Sequence, residues 1–159
     1  MLRDKNLIPL SHQHQHALAM CVRLDRSLAK GNADLASWQE EITGIWKNEI
    51  RFHFQAEEKV LFPAAQKFVA LQQLIKELLS QHETLCAFFN RAATGKLSET
   101  DLKAFGARLS QHIRIEEREF FEECQRLMSA DEISRVGAEM NEYFRHSGMP
   151  GAACTLPRT

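Results

Sequence analysis

The stretch His53-Phe54-Gln55-Ala56-Glu57 recurs in chemical outline later in the chain, as His112-Ile113-Arg114-Ile115-Glu116. In both copies a glutamate follows a histidine by four residues, and a second acid and an apolar-aromatic run come next. Residues four apart lie on one face of an α-helix, separated by one turn or about 5–6 Å. Each copy can therefore present an imidazole and a carboxylate to one small cation, and two copies indicate a metal site.

Length and composition are those of an ordinary soluble single domain. The chain has 159 residues, 44% hydrophobic and 26% charged, and is long enough to bury a core of its own. Its 20 basic and 21 acidic residues form no basic block or stripe, which argues against nucleic-acid binding. No run approaches the ~20 apolar residues of a transmembrane helix, and residues 1–6 lack the apolar core of a signal peptide. We therefore expect a cytoplasmic protein that contacts neither nucleic acid nor membranes.

The cysteines do not suggest a disulfide framework or a zinc knuckle. The four of them are widely spaced and form no Cys-x-x-Cys pair: Cys21, Cys86, Cys124 and Cys154. We expect reduced thiols.

Helical periodicity runs through the chain, and no strand alternation interrupts it. Start and stop residues predict five helices: from Pro9 and Ser11 to about Lys30, from Asp34 to Phe62, from Ala64 or Leu71 to Ala93, from Ser98 to about Met128, and from Ser129 to about His146. Short connections favour antiparallel neighbours. The sequence thus predicts an all-α, up-down-up-down four-helix bundle with an additional C-terminal helix. Residues 1–147 would form this domain, and residues 148–159 a flexible tail.

The histidines can be placed on the apolar faces of these helices. At about 100° per residue, one histidine of each of the first four helices points inward: His14, His53, His82 and His112. Glu57 and Glu116 share the faces of His53 and His112. With a rise of about 1.5 Å per residue, the four histidines lie at similar depths. We therefore expect four imidazoles and two carboxylates to meet at one level of the core.

Burying these six groups without a compensating charge would be costly. A site rich in carboxylates and imidazoles suits two first-row metal ions, iron most naturally, with manganese or zinc also compatible. Glu57 and Glu116 would bridge the ions, and each histidine would bind one ion. A solvent-derived oxo or hydroxo bridge and open positions would complete the coordination. A zinc hydrolase is less favoured, since the chain has no His-Glu-x-x-His motif and no obvious separate base.

The motifs in combination closely resemble the hemerythrin-like (His-His-Glu cation-binding) domain. The resemblance covers residues 7–146 and rests on Pro9-Leu10-Ser11, His14, Ala17-Leu18, His53, Glu57-Glu58, Leu61-Phe62-Pro63, His82-Glu83, Leu85, His112, Glu116-Glu117 and Phe120. It implies a bundle holding an oxo-bridged di-iron centre that binds dioxygen or related small molecules. The implied ligands are His14, His53, Glu57, His82, His112 and Glu116. Ferritin-like bundles use Glu-x-x-His instead, which this chain lacks.

The chain departs from oxygen-carrying hemerythrins at two positions. They have a further histidine four residues after that of the third helix, where this chain has Cys86, and an aspartate where it has Glu116. The lost histidine opens a coordination position or invites a substitute: Cys86, His12, His16, Glu49 or Glu119. Glu49 and Glu119 are also candidates for accepting hydrogen bonds from the ligand imidazoles, or are ordinary surface acids. These departures favour sensing or redox chemistry over reversible oxygen carriage.

The resulting expectation is a protein that binds dioxygen, nitric oxide or peroxide at a di-iron centre, for sensing, scavenging or iron handling. A di-iron enzyme, such as a peroxidase or ferroxidase, is the alternative. Iron–sulfur cluster repair is less favoured, because the family members with that function carry a cysteine-rich N-terminal segment and are usually longer, and neither feature is found here. A bundle whose histidines bind no metal is a third interpretation. A homo-oligomer is left open.

Overall fold

Five helices make up the described part of the chain, residues 2–148 of a computed structural model. They are α1 (Ile8–Ala29), α2 (Leu35–Ile45, Trp46–Ile50, Arg51–Ala56, Glu57–Leu61 and Phe62–Ala65 in continuous succession), α3 (Val69–Ala93), α4 (Glu99–Ile115, Glu116–Phe120 and Phe121–Leu127) and α5 (Ala130–His146). Cys21, Cys86 and Cys124 are free thiols. Cys154 and the predicted tail beyond Gly148 lie outside the described residues.

The helices pack as the sequence predicts. α1 packs on α4, α3 packs on α2 and α4, and α5 covers the second half of α2. The all-α bundle with an additional C-terminal helix is thus confirmed. Between residues 2 and 148, no helix combines the length and the apolar character needed to cross a membrane.

The predicted helix ends are largely confirmed by their capping groups. The Ser98 hydroxyl accepts a hydrogen bond from the backbone N–H of Asp101, whose carboxylate accepts one from the Ser98 N–H. Asp34 caps α2 through its side chain. Gly31 and Gly95 follow α1 and α3 with φ of 75° and 67°, the left-handed conformation that ends a helix at low cost.

One predicted end is wrong, because α2 continues past Pro63 to Ala65. A turn of π-helix covers Glu57–Leu61, and the N–H of Phe62 donates to the carbonyl of Glu57, five residues back. Pro63 then stands in the first turn of a new α-helical segment, where a missing N–H is tolerated. No sequence pattern predicts this change from four-residue to five-residue spacing of the backbone hydrogen bonds.

Two apolar clusters fill the bundle, one on each side of its middle layer. On α1 and α3 the first cluster precedes the predicted histidine and includes Leu10 and Leu78, and the second follows it and includes Leu24 and Phe89. The first cluster also takes in the inner face of α5. The predicted site therefore lies in a layer that is shielded from water at both ends.

Candidate metal centre

The structure brings the six predicted site residues together in the middle layer. None of them is more than 4% exposed: His14, His53, Glu57, His82, His112 and Glu116. Their side-chain ligand atoms form two groups, each with all atoms within 4.8 Å of one another. The first group joins His14 and His53 to both glutamates, and the second joins His82 and His112 to the same two glutamates.

Glu57 belongs to both groups because its two oxygens face different histidines. Oε1 lies 3.2 Å from Nε2 of His53, one turn earlier on α2. Oε2 lies 3.4 Å from Nε2 of His82 on α3. One carboxylate thus spans two positions that could each hold a cation.

Glu116 repeats this arrangement from α4. Its Oε1 lies 3.1 Å from Nε2 of His112 on the same helix, and its Oε2 lies 3.0 Å from Nε2 of His14 on α1. Each position therefore faces two imidazole nitrogens and two carboxylate oxygens. That donor set suits a first-row metal ion.

Several of these atoms are buried without a hydrogen-bond partner. They are all four oxygens of Glu57 and Glu116 and the Nε2 atoms of His82 and His112. Two buried carboxylates facing one another across four imidazoles are costly unless positive charge compensates them, and a bound cation would supply that charge. The residues present therefore fit a pair of metal ions.

The close approach of histidines and glutamates also shifts several pKa values in the centre. Burial acts to lower the pKa of His14, but the carboxylates of Glu116 and Glu117, each within 3.0 Å of a ring nitrogen, outweigh it and raise that pKa to about 9. Burial acts to raise the carboxyl pKa of Glu57 and Glu116, but the facing histidines hold both below the usual range. Without a metal His14 thus retains a proton at neutral pH, which a bound cation must displace.

A side-chain oxygen lies against Nδ1 of each histidine, on the side away from the centre. The pairs are His14 with Glu117 (2.6 Å), His53 with Gln13 (2.7 Å), His82 with Glu58 (2.8 Å) and His112 with Gln81 (2.8 Å). An oxygen at Nδ1 favours the tautomer that carries its proton there, so that the Nε2 lone pair points at the centre. These four oxygens orient the imidazoles for metal binding.

The four oxygens were missed by sequence reasoning, although their positions follow the internal repeat. Gln-His occurs at the site histidines of α1, α3 and α4, and His-x-x-x-Glu-Glu occurs on α2 and α4. Each supporting residue is thus adjacent in sequence to a site residue, and each supports the histidine of the following helix, with α4 returning to α1. The glutamine or second glutamate that stands next to a site residue in each helix was the signal available in the sequence.

The substitutes considered for the lost histidine lie elsewhere. Glu49 contacts the exposed His16, with 2.9 Å between Oε1 and Nδ1, and His12 and Glu119 are exposed. Cys86 packs against the second apolar cluster, and burial raises the pKa of its thiol. None of the five belongs to either group of ligand atoms among the described residues. Glu49 and Glu119 are also not the acceptors for the buried imidazoles.

The outward position of Glu119 has a structural cause. Glu116–Phe120 is a π-helical turn, as is Glu57–Leu61 in the other copy. A π turn holds more residues than an α turn, so that the face predicted at 100° per residue shifts after it. Phe120 and Phe121 take the buried side, and Glu119 faces solvent. Single π turns are frequent at functional sites.

Apolar side chains line the remaining space at the centre. The ring of Phe54 stacks on His82 with a centroid distance of 3.8 Å and meets His112 edge-on. A cavity of about 10 Å³ lies beside the first group, bordered by three of the histidines, by Gln13 and by Ala17, Ile50, Phe54, Leu109 and Ile113. Its volume is close to the minimum that holds one water molecule.

Comparison with known proteins agrees with this geometry. The family model described as the hemerythrin HHE cation binding domain matches residues 9–124, which include all six site residues and end before α5. Searches of curated proteins and of solved structures gave no match. The chain belongs to the hemerythrin HHE cation-binding domain family.

Proposed function

We propose that this protein holds two metal ions, with iron as the native metal and manganese or zinc as alternatives. His14 and His53 would bind one ion, His82 and His112 the other, and Glu57 and Glu116 would bridge them. The observation that carries this proposal is the orientation of the two glutamates, each of which directs one oxygen to each half of the centre. The family match and the burial of four carboxylate oxygens that form no regular hydrogen bond support it.

The proposed activity is binding of dioxygen, nitric oxide or peroxide at the metal pair, for sensing, scavenging or iron handling. A bound iron pair supplies redox-active metal with coordination positions that the protein leaves open. The four supporting oxygens hold the imidazoles, and the two apolar clusters keep bulk water out. The small cavity beside the first group would suit a diatomic ligand.

The cavity favours ligand binding over the alternative, a di-iron peroxidase or ferroxidase. Among the described residues that border it, the only ionisable side chains are histidines of the centre. A catalytic proton transfer would need a positioned acid or base of its own. We therefore expect a stable adduct in preference to turnover.

The test is metal content per chain, on protein purified without chelator or affinity metal, together with absorption spectra. We expect about two irons per chain, with near-ultraviolet bands that bleach on anaerobic reduction and return in air. Titration with nitric oxide should then saturate. Zinc without a chromophore would reject the redox function, and repeated turnover of peroxide or ferrous iron would favour the enzyme.

A further inference from the structure

The two halves of the centre have matching supports. In each half one histidine contacts a glutamate of a neighbouring helix and stacks on the phenylalanine four residues after that glutamate. The sets are His14 with Glu117 and Phe121, and His82 with Glu58 and Phe62. The ring centroids are 5.6 Å apart in the first half and 5.7 Å in the second. The other two histidines, His53 and His112, are both supported by glutamines. The halves differ in two respects: Phe54 stacks on His82 in the second half, and different residues surround the glutamate and phenylalanine of the first half.

Arg3 contacts both supports of His14. Its Nη2 donates to the carbonyl oxygen of Glu117 at 2.6 Å and to the carboxylate Oε2 of the same residue at 2.9 Å. Its guanidinium lies over the ring of Phe121, 5.1 Å from the centroid. Its Nη1 donates to Gln125 at 3.0 Å. One side chain thus fixes the two groups that orient His14.

The segment that carries Arg3 is itself held in place. Gln125 accepts a hydrogen bond from the backbone N–H of Asp4 and donates one to the carbonyl of Leu2. On the other side Asn6 lies against α5 at Gly137, where a Cβ atom would come within 2.5 Å of the Asn6 side chain. Residues 2–6 are therefore anchored to both α4 and α5.

Among residues 2–148, no arginine or lysine anchors the glutamate and phenylalanine of the second half in this way. The side chain of Glu58 is 42% exposed, against 25% for Glu117. Within the described part of the chain, no lysine or arginine forms an ion pair with Glu58. The support of His82 can therefore move into solvent, whereas that of His14 cannot move without displacing Arg3.

We propose that Arg3 is a positioning residue for the His14 side of the centre, and that it slows loss of the ion held by His14 and His53 relative to the ion held by His82 and His112. This inference rests on the two-ion centre proposed above. An ion held by His14 would be released when that imidazole turns away from the centre. For His14 that motion requires displacement of Glu117 and Phe121, and Arg3 holds both.

Ion release tests the proposal directly. The protein is loaded anaerobically with ferrous iron and mixed with excess ferrous chelator, and the coloured complex is followed with time. We expect two phases of about one iron each in the wild type, and Arg3→Gln should accelerate only the slow phase, on the order of 3- to 10-fold. Lys5→Gln is the matched control, since Lys5 is an exposed cation of the same segment. Its release should match the wild type.

Two further comparisons assign the effect. His53→Ala should remove the slow phase and His112→Ala the fast phase. Arg3→Lys keeps the charge but cannot span Glu117, Phe121 and Gln125 in the same way, so that its slow phase should also accelerate. It also supplies the comparison if Arg3→Gln fails to fold.

The contrary outcomes are distinct. Release of two irons in a single phase, or a slow phase unchanged in Arg3→Gln, would overturn the proposal. A wild-type slow phase in Arg3→Lys would assign the effect to charge and overturn the positioning role. Fewer than two irons bound by the wild type would reject the two-ion centre itself, and this inference with it.

Discussion

Oε2 of Glu57 lies 3.4 Å from Nε2 of His82 on the neighbouring helix, while Oε1 stays within 3.2 Å of His53 on its own. A single side chain therefore serves both halves of the centre. Its loss should affect both ions, whereas loss of one histidine should affect one. This difference separates a bridged pair from two independent sites.

Glu57→Ala or Glu116→Ala should lower metal content to about half of the wild-type value or less, because each removes an oxygen from both positions. Metal analysis after gel filtration measures this. Glu83→Ala is the control, since Glu83 is exposed beside His82 and should leave the content unchanged. Full occupancy in both glutamate variants would contradict the proposed ligand set.

Gln81→Ala should weaken metal binding about 10-fold or more, because Nδ1 of His112 loses the oxygen 2.8 Å away that orients its ring. Competition with a chelator of known affinity measures the change. Gln73→Ala removes a glutamine from an exposed position of the same helix and should have no effect. Equal weakening by both variants would point to a general loss of helix stability.

The metal-free protein should lose stability as pH rises. The pKa of His14 is about 9 in the fold, against 6.5 for an ordinary histidine, since the neighbouring carboxylates of Glu116 and Glu117 outweigh burial. A raised folded-state pKa stabilises the fold fully below the unfolded value, and this contribution disappears as pH passes through the folded one. Urea unfolding in chelator at about pH 6 and about pH 9.5 should show the fall, and His14→Gln should show a smaller one. The same fall in both proteins would assign it to another group.

Gly137→Ala should destabilise the protein by about 1–2 kcal/mol. A Cβ at this position would lie 2.5 Å from Oδ1 and 2.6 Å from Cβ of Asn6, and overpacking costs about 1–3 kcal/mol, more than the ~1 kcal/mol gained in helix propensity. Gly44→Ala is the matched control, since no atom lies within 4 Å of its added Cβ, and it should stabilise by about 0.5–1 kcal/mol. Urea midpoints of both variants decide the matter. Stabilisation by both would show that the N-terminal segment yields easily.

Helix geometry explains why the site residues could be placed from sequence. A residue's face and depth on an α-helix follow from its number, so His14, His53, His82 and His112 could be assigned to one level without a structure. The helix ends at Gly31, Asp34 and Ser98 could be predicted because helix capping depends on residues close in sequence.

The π turns and the supporting oxygens could not be predicted from the sequence, because they depend on contacts between helices. A π turn depends on tertiary contacts of the whole bundle, and it overturned the candidate roles of Glu119 at the centre and the helix end predicted at Pro63. Gln81 and Glu58 sit about 100° from the inward face of their own helices, and their role appears only once the next helix is in place.

The closed sequence of supports around the centre, from α1 to α2, α3, α4 and back to α1, also limits how the helices can slide along one another. A shift of one helix by a whole turn moves both its own imidazole and the oxygen it offers to the next helix by about 5.4 Å along the axis, which breaks two of the four links. Apolar faces alone discriminate poorly between such shifts, because leucines and phenylalanines recur along each face. The polar ring thus sets the axial register of the bundle before any ion arrives.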